Sequence, residues 1–132
     1  MYDLDFFKKI HDQFGHTVGD DVLVAFAKML KNHMQPKDYF FRYGGEEFIS
    51  ISTQLDLQEA CKIPNRIREN LSQLTIDGYQ HKRVTCSVGI AYWTPNDPNV
   101  IPEKLVDKAD EQLYKAKEMG RNCTVMDGVL QE

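Results

Sequence analysis

Two groups of acidic residues in this 132-residue chain are spaced so that they could do chemistry together. One is the pair Glu46-Glu47, which follows two glycines in the stretch Arg42-Tyr43-Gly44-Gly45-Glu46-Glu47-Phe48. The other is Asp3-Leu4-Asp5, near the start. Adjacent carboxylates repel one another unless a cation lies between them, and magnesium takes oxygen ligands, keeps several waters and is often completed by substrate phosphates. With two such ions a site can activate an attacking hydroxyl and steady a leaving pyrophosphate. Groups able to meet an anion are also present. Phe6-Phe7-Lys8 opens a helix whose first amides are free for phosphate oxygens. Lys117 and Arg121 stand at the end of the last helix, where they could project toward one anion; the plainer alternative is a solvated pair that suits the helix dipole. His11, His16 and Asp20 fall in the first helix and the loop after it, and each alone reads as a surface or helix-terminal group.

The acids need strands to hold them. Tyr39-Phe40-Phe41 and Phe48-Ile49-Ser50-Ile51-Ser52 flank the glycines and are rich in aromatic and β-branched residues, so both read as strands. Gly44-Gly45 is expected to take the positive φ of a tight primed hairpin turn. Met1 to Asp5 reads as the tail of a strand running into a helix, with Asp3 and Asp5 on one face and Leu4 on the other. A strand needs about five residues, so this one is expected to be cut upstream, at a cost in stability. Gln13 to Asp20 reads as a linker. From Asp21 a helix follows, burying Val18, Val22, Phe26, Ala27, Leu30 and Met34 as one stripe and ending at Gln35-Pro36.

Asp56, with Glu59 after it, forms a capping box for a helix whose apolar face is Leu57, Ala60, Ile63, Ile67, Leu71 and Leu74. Pro64 inside it predicts a kink or two abutting helices. Ile76-Asp77-Gly78-Tyr79 is expected to turn. Arg83 to Tyr92 reads as a long strand with Val84, Cys86, Val88 and Ile90 on one face. Thr94 to Asn99 is loop. Pro102 starts a last helix, buried through Leu105, Ala109, Leu113 and Ala116 and stopped by Gly120. Cys123 to Met126 closes as a short strand. Residues 1–126 are thus expected to form one domain, and 127–132 a loose tail.

A net charge of −4 argues against a generic nucleic-acid surface. Three scattered cysteines, Cys61, Cys86 and Cys123, fit reduced core thiols in a cytoplasmic protein. No signal peptide or membrane-length apolar run is present, so no direct membrane contact is expected. The order of elements points to an α/β (α+β) fold: a ferredoxin-like βαββαβ core with a central, mostly antiparallel sheet carrying helices on one side. In that topology the first strand lies beside the central hairpin, which brings Asp3 close to Glu46 and Glu47.

Here the residues resemble a known family. Asp3-Leu4-Asp5-Phe6-Phe7-Lys8, Phe14-Gly15-His16-Thr17-Val18-Gly19-Asp20, Arg42 to Phe48, Val84 to Ile90 and Ala109 to Asn122 are similar, in order, to blocks of the GGDEF domain of diguanylate cyclases, in its GGEEF variant. The resemblance implies a nucleotide-cyclase or palm-type fold that condenses two GTP molecules into cyclic di-GMP and two pyrophosphates across a homodimer. It implies that Asp3, the carbonyl of Leu4, Glu46 and Glu47 bind Mg2+ (or Mn2+), two ions per half-site, and that Glu46 takes the proton from the 3′-hydroxyl. Phe6, Phe7 and Lys8, with Lys117 and Arg121, would cradle phosphates. Asp20 would read the guanine edge, and His16 lies in the nucleotide-site loop. An upstream sensory or regulatory domain is expected in the parent protein.

Three departures stand out. His11 replaces the family's usual asparagine, which also reads guanine. Gln35-Pro36-Lys37-Asp38 lacks the arginine of the family's RxxD feedback site. The sequence is expected to be cut downstream of the family's extra helix and the front of its first strand. The first and third keep open an alternative, a non-catalytic GGDEF module that binds GTP or regulates a neighbour.

Overall fold

The protein is seen in a computed structural model that describes residues 1–76, 79 and 83–132. Its elements run β1 (Tyr2–Leu4), α1 (Phe7–Phe14), α2 (His16–His33), β2 (Tyr39–Arg42), β3 (Glu47–Ile51), α3 (Leu57–Ser72), β4 (Cys86–Ile90), α4 (Pro102–Glu118), β5 (Thr124–Met126) and β6 (Val129–Gln131). The sheet order is β2-β3-β1-β4-β5-β6, antiparallel at every pairing except β4 with β5. Its first four strands give the ferredoxin-like arrangement expected from the sequence.

The period-two alternation of the central strands sorts side chains to two faces. Tyr2, Leu4, Phe48, Cys86 and Val88 face one core with Phe7, Val22, Phe26, Leu30, Ile67 and Leu71 from α1, α2 and α3. Phe26 joins the layers, edge-on to Tyr2 at 5.8 Å and to Phe48 at 5.0 Å. Fully burying each such side chain is worth roughly 1.5–3 kcal/mol. Met1 and Ile49 face the other way and meet Leu113 of α4. Helices therefore cover both faces of the sheet, not one. The close seat of α4 depends on Gly89, where a Cβ would collide with the backbone of Ala109 and Leu113.

Several local expectations are corrected. The segment read as a linker is short: α2 begins at His16, and only Gly15, at φ 90°, separates it from α1. Gly44 and Gly45 do not take positive φ. β2 ends at Arg42 and β3 begins at Glu47, so four residues separate the strands rather than two, and a longer loop needs no primed geometry. α3 is one helix through Pro64 rather than two abutting ones, behind the capping box of Asp56 and Glu59. β4 is half the length expected, starting at Cys86. Asp5 lies in the turn after β1 rather than on the strand. The end of the chain is no loose tail: β6 pairs with β5, and the carbonyl of Gln131 accepts from Asn65 Nδ2 at 3.2 Å. Asp77 and Gly78 of the expected turn lie outside the described residues.

Candidate active site

The register of β1 against β3 sets Asp3 directly opposite Glu47, and residues paired across antiparallel strands share a face. That face looks toward α4, whose Lys117 reaches back to place Nζ 2.6 Å from Asp3 Oδ2. Asp3 is only 5% exposed. Burial raises its pKa, offset in part by the Lys117 hydrogen bond and charge. Glu47 is also pushed up, by burial and then by the charge of Asp3. Burial works against the Lys117 ammonium, but the hydrogen bond and charge of Asp3 outweigh it, and the Lys117 pKa is raised. Two crowded carboxylates are thus held together by one cation. Glu46 is tied in through its backbone, where its carbonyl accepts from Leu4 N–H at 3.1 Å.

The loop above the carboxylates is built on backbone groups. The amides of Tyr43 and Gly44 donate to the Glu47 carbonyl at 2.7 and 3.2 Å. The Arg42 guanidinium donates to the carbonyls of Gly44 and Gly45, the shortest contact being 2.7 Å. A Cβ on Gly45 would meet nothing within 4 Å, and one on Gly44 only Glu47 Cβ at 3.9 Å. Neither packing nor φ demands glycine there. What the pair provides is bare backbone beside the acids, which lets a ligand come close.

Among the described residues, no three His, Cys, Asp or Glu side chains form a ready cation cage. Asp3, Glu47 and the neighbouring Glu46 are nonetheless an all-oxygen donor set. Magnesium is typically bound by one or two carboxylates plus phosphates rather than by an all-protein cage. The residues fit such an ion.

Beside the acids, the start of α1 has no side-chain cap, because its N-cap residue is Phe6 at φ 56°. The first amides of a helix lack intrahelical partners and favour anions. Phe6 is 53% exposed. Arg121 Cζ lies 4.8 Å from its centroid and Lys9 Nζ 4.9 Å, so two cations flank this helix start. Phe7 instead points into the core. Arg121 owes its place to the end of α4: Gly120, at φ 109°, donates to the Lys117 carbonyl and Arg121 N–H to that of Ala116, a Schellman closure. Arg121 and Asn122 then continue at φ 67° and 47°. Such conformations cost non-glycine residues of order 1–3 kcal/mol each and persist only where the surroundings enforce them.

A third group follows along α1 and α2. The His11 ring stands edge-on to Phe7 at 4.5 Å and to His16 at 4.6 Å. It packs so tightly on Gly19 that a Cβ there would collide with it. Its Nε2 is buried without a hydrogen-bond partner among the described residues. Asp20, next to Gly19, is exposed on α2. Lys8 is exposed on α1. His16 and Asp20 therefore stand on a helix, not in the loop expected for them.

The residues singled out in the sequence thus gather as an acid pair with Lys117, a helix start with Arg121, and a histidine pair near Asp20. Sequence reasoning missed Lys9, Arg42 and the interior role of Asp5. Lys9 follows Lys8 in the first turn of α1, which was the only hint of it.

The family model described as "Diguanylate cyclase, GGDEF domain" matches residues 1–123. The response regulator PleD of Caulobacter vibrioides is 42% identical over 128 residues, covering 95% of this chain and 28% of that protein. The probable diguanylate cyclase DgcT of Escherichia coli K12 is 38% identical over 133 residues, 98% of this chain and 29% of that protein. The chain thus spans less than a third of these relatives. The GGDEF domain of DgcB from Caulobacter crescentus, solved in complex with c-di-GMP, superposes with a TM-score of 0.85 at 29% identity, over 95% of this chain and 74% of that one. The active GGEEF domain of a diguanylate cyclase from Vibrio cholerae superposes at 0.82 and 29% identity, over 95% and 78%.

Proposed function

The chain belongs to the GGDEF family of diguanylate cyclase domains, and from that membership we propose that it condenses two GTP molecules into cyclic di-GMP with release of two pyrophosphates. The observation that carries the reading is the opposition of Asp3 and Glu47 across β1 and β3, beside the cation-flanked start of α1. Asp3, the Leu4 carbonyl, Glu46 and Glu47 would hold two divalent ions, Mg2+ or Mn2+. Bound there, they would neutralise triphosphate charge and acidify the attacking hydroxyl. The amides of Phe6, Phe7 and Lys8 receive phosphate oxygens, while Lys117 and Arg121 supply positive charge. Only the backbone of Phe7 is available for this, since its ring is in the core. Asp20 accepts from the N–H donors of guanine, and His11 and His16 line the base. Glu46, half-buried at the end of the loop, takes the proton from the 3′-hydroxyl.

The set of Asp3, Glu46 and Glu47 serves one GTP. The product contains two nucleotides, so a second copy must face the first and each 3′-hydroxyl must attack the other α-phosphate. The domain itself comprises residues 1–126 together with the strand that follows. Because the relatives are more than three times as long, we assign sensory input to a region of the parent protein outside this sequence, acting in the cytoplasm, where GTP is found.

Incubation with GTP and Mg2+ over a range of protein concentrations tests the reading: cyclic di-GMP should appear at a rate that rises faster than linearly while dimers are scarce. Glu46→Gln should abolish product and leave the fold intact, since it removes charge and little volume; unaltered turnover in that variant refutes the assignment. One observation favours the alternative of a GTP-binding module without turnover. His11, in place of asparagine, presents a buried nitrogen with no partner among the described residues, and GTP binding without product would decide for that reading.

A further inference from the structure

We propose that Asp5 is a positioning residue that holds Arg121 at the helix start, an inference that rests on reading that place as a phosphate site. Asp5 is 5% exposed. Its carboxylate accepts from Thr85 Oγ1 and Ser87 Oγ, both at 2.7 Å, and from the backbone N–H of Asn122 at 3.1 Å. No cation among the described residues forms an ion pair with it. A charge kept this deep among neutral donors is costly unless its hydrogen bonds are fully used. Two of the three donors tie the turn after β1 to Ser87 of β4 and to Thr85 just before it. The third ties it to the residue after Arg121, at the far end of the chain.

That third bond has a specific mechanical consequence. Arg121 and Asn122 are both in the left-handed region, and so is Phe6, which follows Asp5. Phe6 and Arg121, which stack at 4.8 Å, are thus both left-handed; Asp5 precedes the first in the chain and accepts from the N–H of the residue that follows the second. Arg68 of α3 clamps the same turn from the other side, donating to the carbonyl and the Oδ1 of Asn122, both at 3.1 Å. With the carboxylate gone, the turn keeps the Arg68 clamp and the Arg121 N–H bond to Ala116 but loses its tie to the end of β1, and the guanidinium is no longer held over the Phe6 ring. Asp5 thus acts on an anion through Arg121 and never touches it.

A double-mutant cycle on GTP binding by the 132-residue chain tests this. Asp5→Asn keeps the shape but removes the charge and replaces one of the two acceptor oxygens with a donor, so the three donors compete for the oxygen that remains; it should weaken GTP binding by roughly tenfold, as should Arg121→Ala. In the Arg121→Ala background, Asp5→Asn should add less than about twofold, because the two changes act on one contact. Thr85→Val and Ser87→Ala strip the same carboxylate of its strand donors; they should lower Tm and leave the GTP Kd within about twofold. An equal loss from Asp5→Asn in both backgrounds, or a loss from Thr85→Val as large as that from Asp5→Asn, would mean a purely structural role and overturns the proposal. So would unchanged binding in Asp5→Asn. Amide hydrogen exchange at Asn122 keeps the two readings apart, since it needs no nucleotide. It should be slow in the parent chain and accelerate in Asp5→Asn. Lack of GTP binding by the parent chain sinks the functional reading and with it the role toward anions, whereas exchange at Asn122 indifferent to Asp5→Asn sinks the anchoring alone.

Discussion

Lys117→Met should make the metal-free protein less stable and its response to magnesium larger. The substitution keeps the apolar stem and removes an ammonium that stands 2.6 Å from the Asp3 carboxylate. Stripping one partner from a fully buried ion pair costs about 3–5 kcal/mol, and from an exposed pair about 0–1 kcal/mol. Here the Asp3 side chain is 7% exposed and that of Lys117 33%. The pair lies between those limits, and screening at the lysine end brings the expected loss to about 2 kcal/mol. For a domain of this size that is a fall in Tm of roughly 6–10 °C. A divalent ion must compete with Lys117 for Asp3, so removing the lysine should tighten Mg2+ binding by up to about 30-fold, the same free energy read as an affinity. Thermal melts of both proteins across a magnesium titration without nucleotide provide the measurement. Equal Tm values without metal would show that the pair contributes nothing. An equal or smaller magnesium shift in the variant would refute Asp3 as a cation ligand, whatever the activity.

His11→Asn should tighten GTP binding by up to about fivefold, the worth of one recovered hydrogen bond, while the lost ring packing on Phe7, His16 and Gly19 lowers Tm; a weaker Kd would show that the imidazole is adapted to the base. Gly89→Ala should destabilise by about 3 kcal/mol, as overpacking does, because the new Cβ strikes the backbone of α4; denaturant melts would measure it, and a change under about 0.5 kcal/mol would refute the close seat of α4. Burial raises the pKa of all three thiols, Cys86 furthest. A raised thiol pKa means less thiolate at any given pH below it, so labelling by a disulfide reagent at pH 8 should be slower than for free cysteine at Cys61 and Cys123 and speed up as pH rises. Cys86 should label only in denaturant, and native labelling there at the free-cysteine rate would contradict its burial.

Features with a local cause were legible in the sequence. The α2 stripe of Val22, Phe26 and Leu30 is buried as its 3.6-residue spacing required. Asp56 and Glu59 lie three residues apart and cap their own helix. Gly120 ends α4 because only a left-handed residue can close it there. Even the pairing of Asp3 with Glu47 followed from few assumptions, since a hairpin and two crossovers leave a short first strand little choice of neighbour. Features with a distant cause were hidden. The glycines of the loop suggested a primed turn, yet the strand register made the loop longer and left their φ ordinary. β6 looked like tail residues until the edge of β5 offered it a partner.

The sequence by itself determined which donors exist and that they gather at one end of a βαββαβ sheet, because residue type, period and chain order are local properties. Only the tertiary structure decided what each acid became. Asp3 and Asp5 are two residues apart and chemically identical. Asp3 faces α4 and meets an ammonium, while Asp5, in the turn beyond the strand, meets two hydroxyls and an amide from 80 to 117 residues away. The environment of a carboxylate is made by whatever packs around it, and no spacing along the chain encodes that.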